Sequence, residues 1–157
     1  MGQWGPPEFL VPRLSSTNRF SVAESGDGVS ILCDEAGLAL RREDGRLNLA
    51  WFGSIALPMI DAQRGRRYTM RVRGYIAKTE SARGMVLIDV GGGTVAREYP
   101  YGRIFDEEFT IETSFIVNSW MARRITASLT LLLERQSDDD EATLVIDDGD
   151  AVTIQPA

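Results

Sequence analysis

Residues 67–76 read RYTMRVRGYI, and their spacing decides the fold. Tyr68, Met70, Val72 and Ile76 share one parity; Arg67, Thr69, Arg71 and Arg73 share the other. Side chains separate into two faces at period two only on an extended strand, whereas a helix needs apolar residues three and four apart. The stretch therefore reads as a half-buried β-strand, with its apolar set turned to a core and its arginines turned outward.

The same period recurs in both directions from this strand. FTIETSFIV (109–117) offers Phe109, Ile111, Phe115 and Val117 to a core. RITASLTLLLE (124–134) offers Ile125, Ala127, Leu129, Leu131 and Leu133, with Thr126, Ser128 and Thr130 on the opposite face. Shorter versions occur in RFSV, GVSILC, LALR, RLNLAWF, GMVLIDV, ATLVID and AVTI, with Trp51 in phase with Leu47 and Leu49 as core. Turn signals separate them: SGDG at 25–28, EDG at 43–45, GGG at 91–93 and SDDDE at 137–141. No window carries a capped apolar stripe of helical period. About ten short strands at this spacing predict an all-β fold, an antiparallel β-sandwich of the jelly-roll kind. FGSIALPMIDAQRGRR (52–67) reads as a long connection crossing from one sheet to the other.

With 157 residues, the chain is long enough for one domain with a sizeable core. Residues 18–157 form that domain, and residues 1–17 form an extended N-terminal arm. The arm opens MGQWGPPEFLVPRL; Pro6 and Pro7 remove two backbone donors, so it cannot be an interior strand. Trp4, Phe9, Leu10 and Val11 are apolar without alternating polar partners, and the expectation is that they dock on a neighbouring subunit rather than fold back over the sandwich.

A net charge of −6 argues against a nucleic-acid partner, and no apolar run reaches membrane-spanning length. The start has no basic segment before its prolines, so the expectation is synthesis in the cytoplasm without a signal peptide. Cys33 is the one cysteine and there is no histidine. That removes the commonest general base, the serine–histidine and cysteine–histidine pairings and most zinc sites. Glu98, Asp106, Glu107, Glu108 and Glu112 could supply a glycosidase pair only if two faced each other across a groove. The expectation is no enzyme and no cofactor.

Other stretches hold candidate chemistry beside simpler readings. DVGGGTV lacks the lysine and helix of a phosphate loop, and a glycine turn accounts for it. Asp138, Asp139, Asp140, Glu141, Asp147, Asp148 and Asp150 are oxygen donors suited to calcium, or two solvated turns with Asp148–Gly149 as a hairpin pair. The cluster Arg64, Arg66, Arg67, Arg71 and Arg73 is either a solvated face with cross-strand acids such as Glu112, or a patch meeting the acidic end of another copy. Tyr99, Tyr101 and Trp120 are the candidates for a sugar-stacking platform.

Residues 60–155 resemble carbohydrate-binding modules of the galactose-binding-like jelly-roll type. The likeness rests on a loop ending at Gly65, the strand carrying Tyr68, Met70 and Val72, and the closing segment Ile146, Asp147 and Asp148. It implies that fold, with a sugar as ligand. Gly149–Asp150 departs from it, interrupting what should be one closing strand.

Two functions follow. The first is a non-catalytic structural protein of a homo- or hetero-oligomeric assembly, such as a tailed-phage virion component (capsid decoration, or tail or fibre attachment). It would bind its partner through Trp4, Phe9, Leu10, Val11, Arg67, Arg71 and Arg73. The alternative is a carbohydrate-binding module using the aromatic platform.

Overall fold

The computed structural model describes residues 8–11, 20–25, 28–33, 36–58, 66–116, 124–147 and 152–157. Twelve strands follow one another: β1 (Glu8–Val11), β2 (Phe20–Ser25), β3 (Gly28–Cys33), β4 (Gly37–Leu40), β5 (Asn48–Pro58), β6 (Arg67–Lys78), β7 (Ala82–Val90), β8 (Gly93–Tyr99), β9 (Phe105–Ile116), β10 (Arg124–Arg135), β11 (Ala142–Ile146) and β12 (Val152–Pro156). No helix occurs among the described residues.

They form two antiparallel sheets, as the alternation requires. The five-stranded sheet runs β1-β5-β10-β7-β8. In the seven-stranded sheet β6 is the spine. β9 pairs along its whole length, from Arg67↔Ile116 to Lys78↔Phe105. The other edge of β6 is shared end to end by β11, which leads on to β4, and β12, which leads on to β3 and β2. β11 pairs with β6 as far as Ile146↔Gly74 and β12 from Val152↔Val72; the interruption expected at Gly149–Asp150 lies outside the described residues.

The core lies between the sheets. Tyr68, Met70, Val72 and Ile76 from β6 meet Ile125, Ala127, Leu129, Leu131 and Leu133 from β10, with Phe109, Ile111 and Phe115 closing one side. All are buried; each large apolar side chain removed from water contributes about 1.5–3 kcal/mol, which is why parity predicts the inside so well. Val117 lies outside the described residues. Gly91 and Gly92 both have positive φ (53° and 88°), the conformation a two-residue hairpin between β7 and β8 demands.

Three expectations are corrected. Phe52–Pro58 is not connection but the continuation of β5, and the crossing to the second sheet takes only the residues before Arg67. Leu47 is 51% exposed, because β5 begins one residue later and leaves it in the preceding turn. Residues 8–11 of the arm pair within their own chain: Glu8↔Ala56 and Phe9↔Ile55 put β1 at the edge of the five-stranded sheet. An edge is the place open to a segment that prolines bar from a sheet interior.

One end of the sandwich is tied by two buried cations. The Arg135 side chain is fully buried. It donates to the carbonyls of Arg46 (2.7 Å), Arg41 (2.7 Å) and Asp140 (3.0 Å) and to Asp44 Oδ1 (2.6 Å), clipping the β4–β5 turn to the β10–β11 turn. Lys78 Nζ donates to the carbonyls of Thr79 (3.1 Å), Pro100 (2.9 Å) and Arg103 (2.6 Å) and lies 5.1 Å from the Phe105 ring centre. Burial, with Arg103 nearby, lowers the Lys78 pKa.

Asp44 accepts backbone hydrogen bonds from Arg46 and Arg41, and these, with the Arg135 charge, hold its pKa below 3.8. A lowered folded pKa means stability present in full above the ordinary carboxylate range and lost as pH falls through the folded value. Asp44→Asn should therefore lower the urea midpoint at about pH 7 and leave parent and variant closer together at about pH 3. Equal gaps at both pH values would show that the carboxylate charge contributes nothing.

Candidate functional site

Strand register stacks the outward side chains of the five-stranded sheet into rows. Ser54, Ser128, Asp89 and Thr94 form one; Phe52, Thr130, Leu87 and Ala96 form the next. A third holds Ala50, Leu132, Met85 and Glu98, and beyond it Glu134 faces Arg83 across 3.5 Å. The face is thus polar toward the Gly91–Gly92 turn, apolar in the middle and charged at the far end.

Its polar half is concave. An open groove of about 580 Å³ is lined by Phe52, Ser54, Asp89, Gly91, Gly92, Arg124, Ile125, Thr126 and Ser128. Phe52 is 44% exposed on β5, where it pairs with Thr130 of β10, so its ring is displayed from a strand without a loop to hold it. Around it stand hydroxyls that donate and accept, a carboxylate that accepts and a guanidinium that donates. Such a lining suits an uncharged, polyhydroxylated ligand with one apolar face, which can stack on the ring while its hydroxyls bond to the rim. Asp89 is the one carboxylate among the described residues that line the groove.

The residues singled out from sequence are dispersed. Arg67, Arg71 and Arg73 point outward from the other sheet, as parity requires. Arg71 Nε donates to Glu112 Oε1 at 2.7 Å on β9, the cross-strand partner expected of a solvated face. On the same face Tyr75 donates to Asp106, and this bond is the main reason its hydroxyl pKa is raised. Phe9, Leu10 and Val11 lie in β1; Trp4 and Trp120 lie outside the described residues.

Tyr99 is not a surface residue. It is 2% exposed, edge-on to Phe105 at 5.0 Å and tilted against Phe109, and burial raises its pKa. It falls on the inward parity of β8, opposite Gly84. Tyr101, two residues on, is 38% exposed on the β8–β9 turn, so the two do not make one platform.

The acidic cluster is organised by protein groups. Asp140 accepts from Thr79 Oγ1 (3.0 Å) and Ser137 Oγ (3.3 Å), and its carbonyl accepts from Arg135. Among the described residues no three metal-ligating side chains converge; Asp148 and Asp150 lie outside them.

Sequence reading missed the groove because Phe52 looked like the start of a connection. The readable signal was the hydroxyl-bearing outer parity of β10, Thr126, Ser128 and Thr130, two of which line it.

No family model matches the chain, and no curated protein matches it. Among solved structures it is similar to the carbohydrate-binding module TmCBM61 in complex with β-1,4-galactotriose: 11% identity, TM-score 0.35, 99% of this chain and 92% of that one. It is also similar to the enzymatically active domain of bacteriophage CBA120 tailspike protein 4: 10% identity, TM-score 0.33, 99% of this chain but 19% of that one. A third is the family 11 carbohydrate-binding module of Clostridium thermocellum with a β-1,3-1,4-mixed-linked tetrasaccharide: 10% identity, TM-score 0.23, 99% and 89%. Two of the three are carbohydrate-binding modules.

Proposed function

We propose that this domain is a non-catalytic binding module for carbohydrate, with its ligand in the groove on the five-stranded sheet. The observation that carries the reading is Phe52, an exposed aromatic ring lining a ligand-sized groove rimmed by Ser54, Asp89, Arg124, Thr126 and Ser128. A sugar ring has a C–H face that stacks on aromatics and an equatorial belt of hydroxyls for the rim. The test is calorimetric titration with a panel of neutral β-linked oligosaccharides. Phe52→Ala should weaken binding about tenfold, which corresponds to about 1.4 kcal/mol of lost stacking, and Asp89→Asn should weaken it by a comparable factor. Both positions face outward, so melting should be nearly unchanged. Failure of the parent protein to bind any member of a broad panel overturns the reading.

A second reading is a structural component of an assembly, a phage virion among them. What favours it is the apolar middle of the same face, where Phe52, Leu87, Leu132 and Met85 form a patch suited to a cover.

A further inference from the structure

We infer that the outer face of the five-stranded sheet docks against the same face of a second copy of this chain, in a two-fold dimer whose axis runs parallel to the strands between β10 and β7. The argument starts from the rows. Rotation about that axis turns one face onto the other, keeps each row in place and exchanges β5 with β8 and β10 with β7. In the apolar row, Phe52 then lies over the partner's Ala96 and Thr130 over the partner's Leu87, so the largest exposed side chain meets the smallest. In the next row Leu132 lies over the partner's Met85. At the charged end Glu134 meets the partner's Arg83, extending the existing ion pair into an alternating set of four charges. At the polar end Ser128 meets the partner's Asp89, a hydroxyl donor over an acceptor.

Size matches in the row of Phe52 and charge at the end of Glu134 and Arg83 under one operation, while in the third row Ala50 lies over the partner's Glu98. Leu87, Leu132 and Met85 are half-buried already, and Phe52 and Ala96 are exposed; together they are the part of this sheet that water covers at a cost. Two sheets packed this way align within about 30°, at the roughly 10 Å spacing of a sandwich interior. Four strands over about nine residues give at most roughly 600 Å² of contact per copy, at the small end for a stable interface, so the dimer should be concentration-dependent.

The dimer covers Phe52, and a carbohydrate in the groove would compete with it. The inference does not rest on that competition. The test is cross-linking by paired cysteines. Phe52→Cys and Ala96→Cys variants, mixed and treated with a bismaleimide that spans about 10 Å, should give a cross-linked heterodimer, while either alone or the parent with Cys33 should give far less. Sedimentation of the parent should show mass rising toward twice the monomer with concentration, and Phe52→Glu should hold it at monomer mass with an unchanged melting curve. A parent that stays monomeric at every concentration, or a Phe52→Cys variant that cross-links as well alone as when mixed, overturns the proposal. Dimerisation unaffected by any oligosaccharide would leave this proposal standing and count against the carbohydrate reading instead.

Discussion

Arg135→Ala is expected to lower the melting temperature by roughly 10 °C or more, through a loss of about 3–5 kcal/mol. The guanidinium is fully buried and bonded to the carbonyls of Arg41, Arg46 and Asp140, so its removal strands three acceptors in addition to the Asp44 carboxylate. A buried acceptor without a donor costs about 1–3 kcal/mol, and here the turns cannot relax independently because the Glu43 N–H still donates to the Asp138 carbonyl at 3.1 Å across them. Arg135→Lys keeps the charge but offers one nitrogen in place of a planar fork, and should recover less than half of the loss. Thermal melts of parent and both variants at neutral pH decide the matter. A lysine variant as stable as the parent would mean that charge alone holds this end together.

Gly74→Ala should cost about 3 kcal/mol although it adds one methyl group. A Cβ at this position would lie 2.3 Å from the Val145 carbonyl oxygen and 2.5 Å from Cζ of Phe109. The Phe109 ring could turn aside; the carbonyl cannot, because it belongs to the strand hydrogen-bonded to β6 at this point. The expected signature is a lowered denaturant midpoint with an unchanged slope, since the unfolded chain is the same in extent. Phe109→Leu combined with Gly74→Ala should recover only the share of the loss that comes from the ring. Full recovery would show the backbone contact to be harmless.

Position 74 also shows how far sequence reading reaches. In RYTMRVRGYI the inner parity runs Tyr68, Met70, Val72, then glycine, then Ile76. Alternation correctly makes this a strand and fills its inner face, but it cannot say why one inner place is empty. The neighbour that fills it, Phe109, stands opposite on β9, thirty-five positions along the chain. The same limit governs the site. Parity turned Ser128 and Thr126 outward with certainty, since a one-residue slip would bury them, yet nothing along the chain says that β10 lies between β5 and β7. The groove exists only in that cross-strand order. Tyr99 fails for a related reason: the rings that pack on it, Phe105 and Phe109, come from β9, whereas its neighbours in EYPYG read as a surface turn.

Lys78 is the only lysine in the chain, and its nitrogen is enclosed by three carbonyls and an aromatic ring. A reagent that acylates amines therefore finds this side chain only when the β8–β9 turn lifts away. The rate at which Lys78 is modified becomes a clock for that local opening, readable by mass spectrometry on the unaltered protein. Acylation faster than whole-domain unfolding would mark this end of the sandwich as a unit that opens by itself.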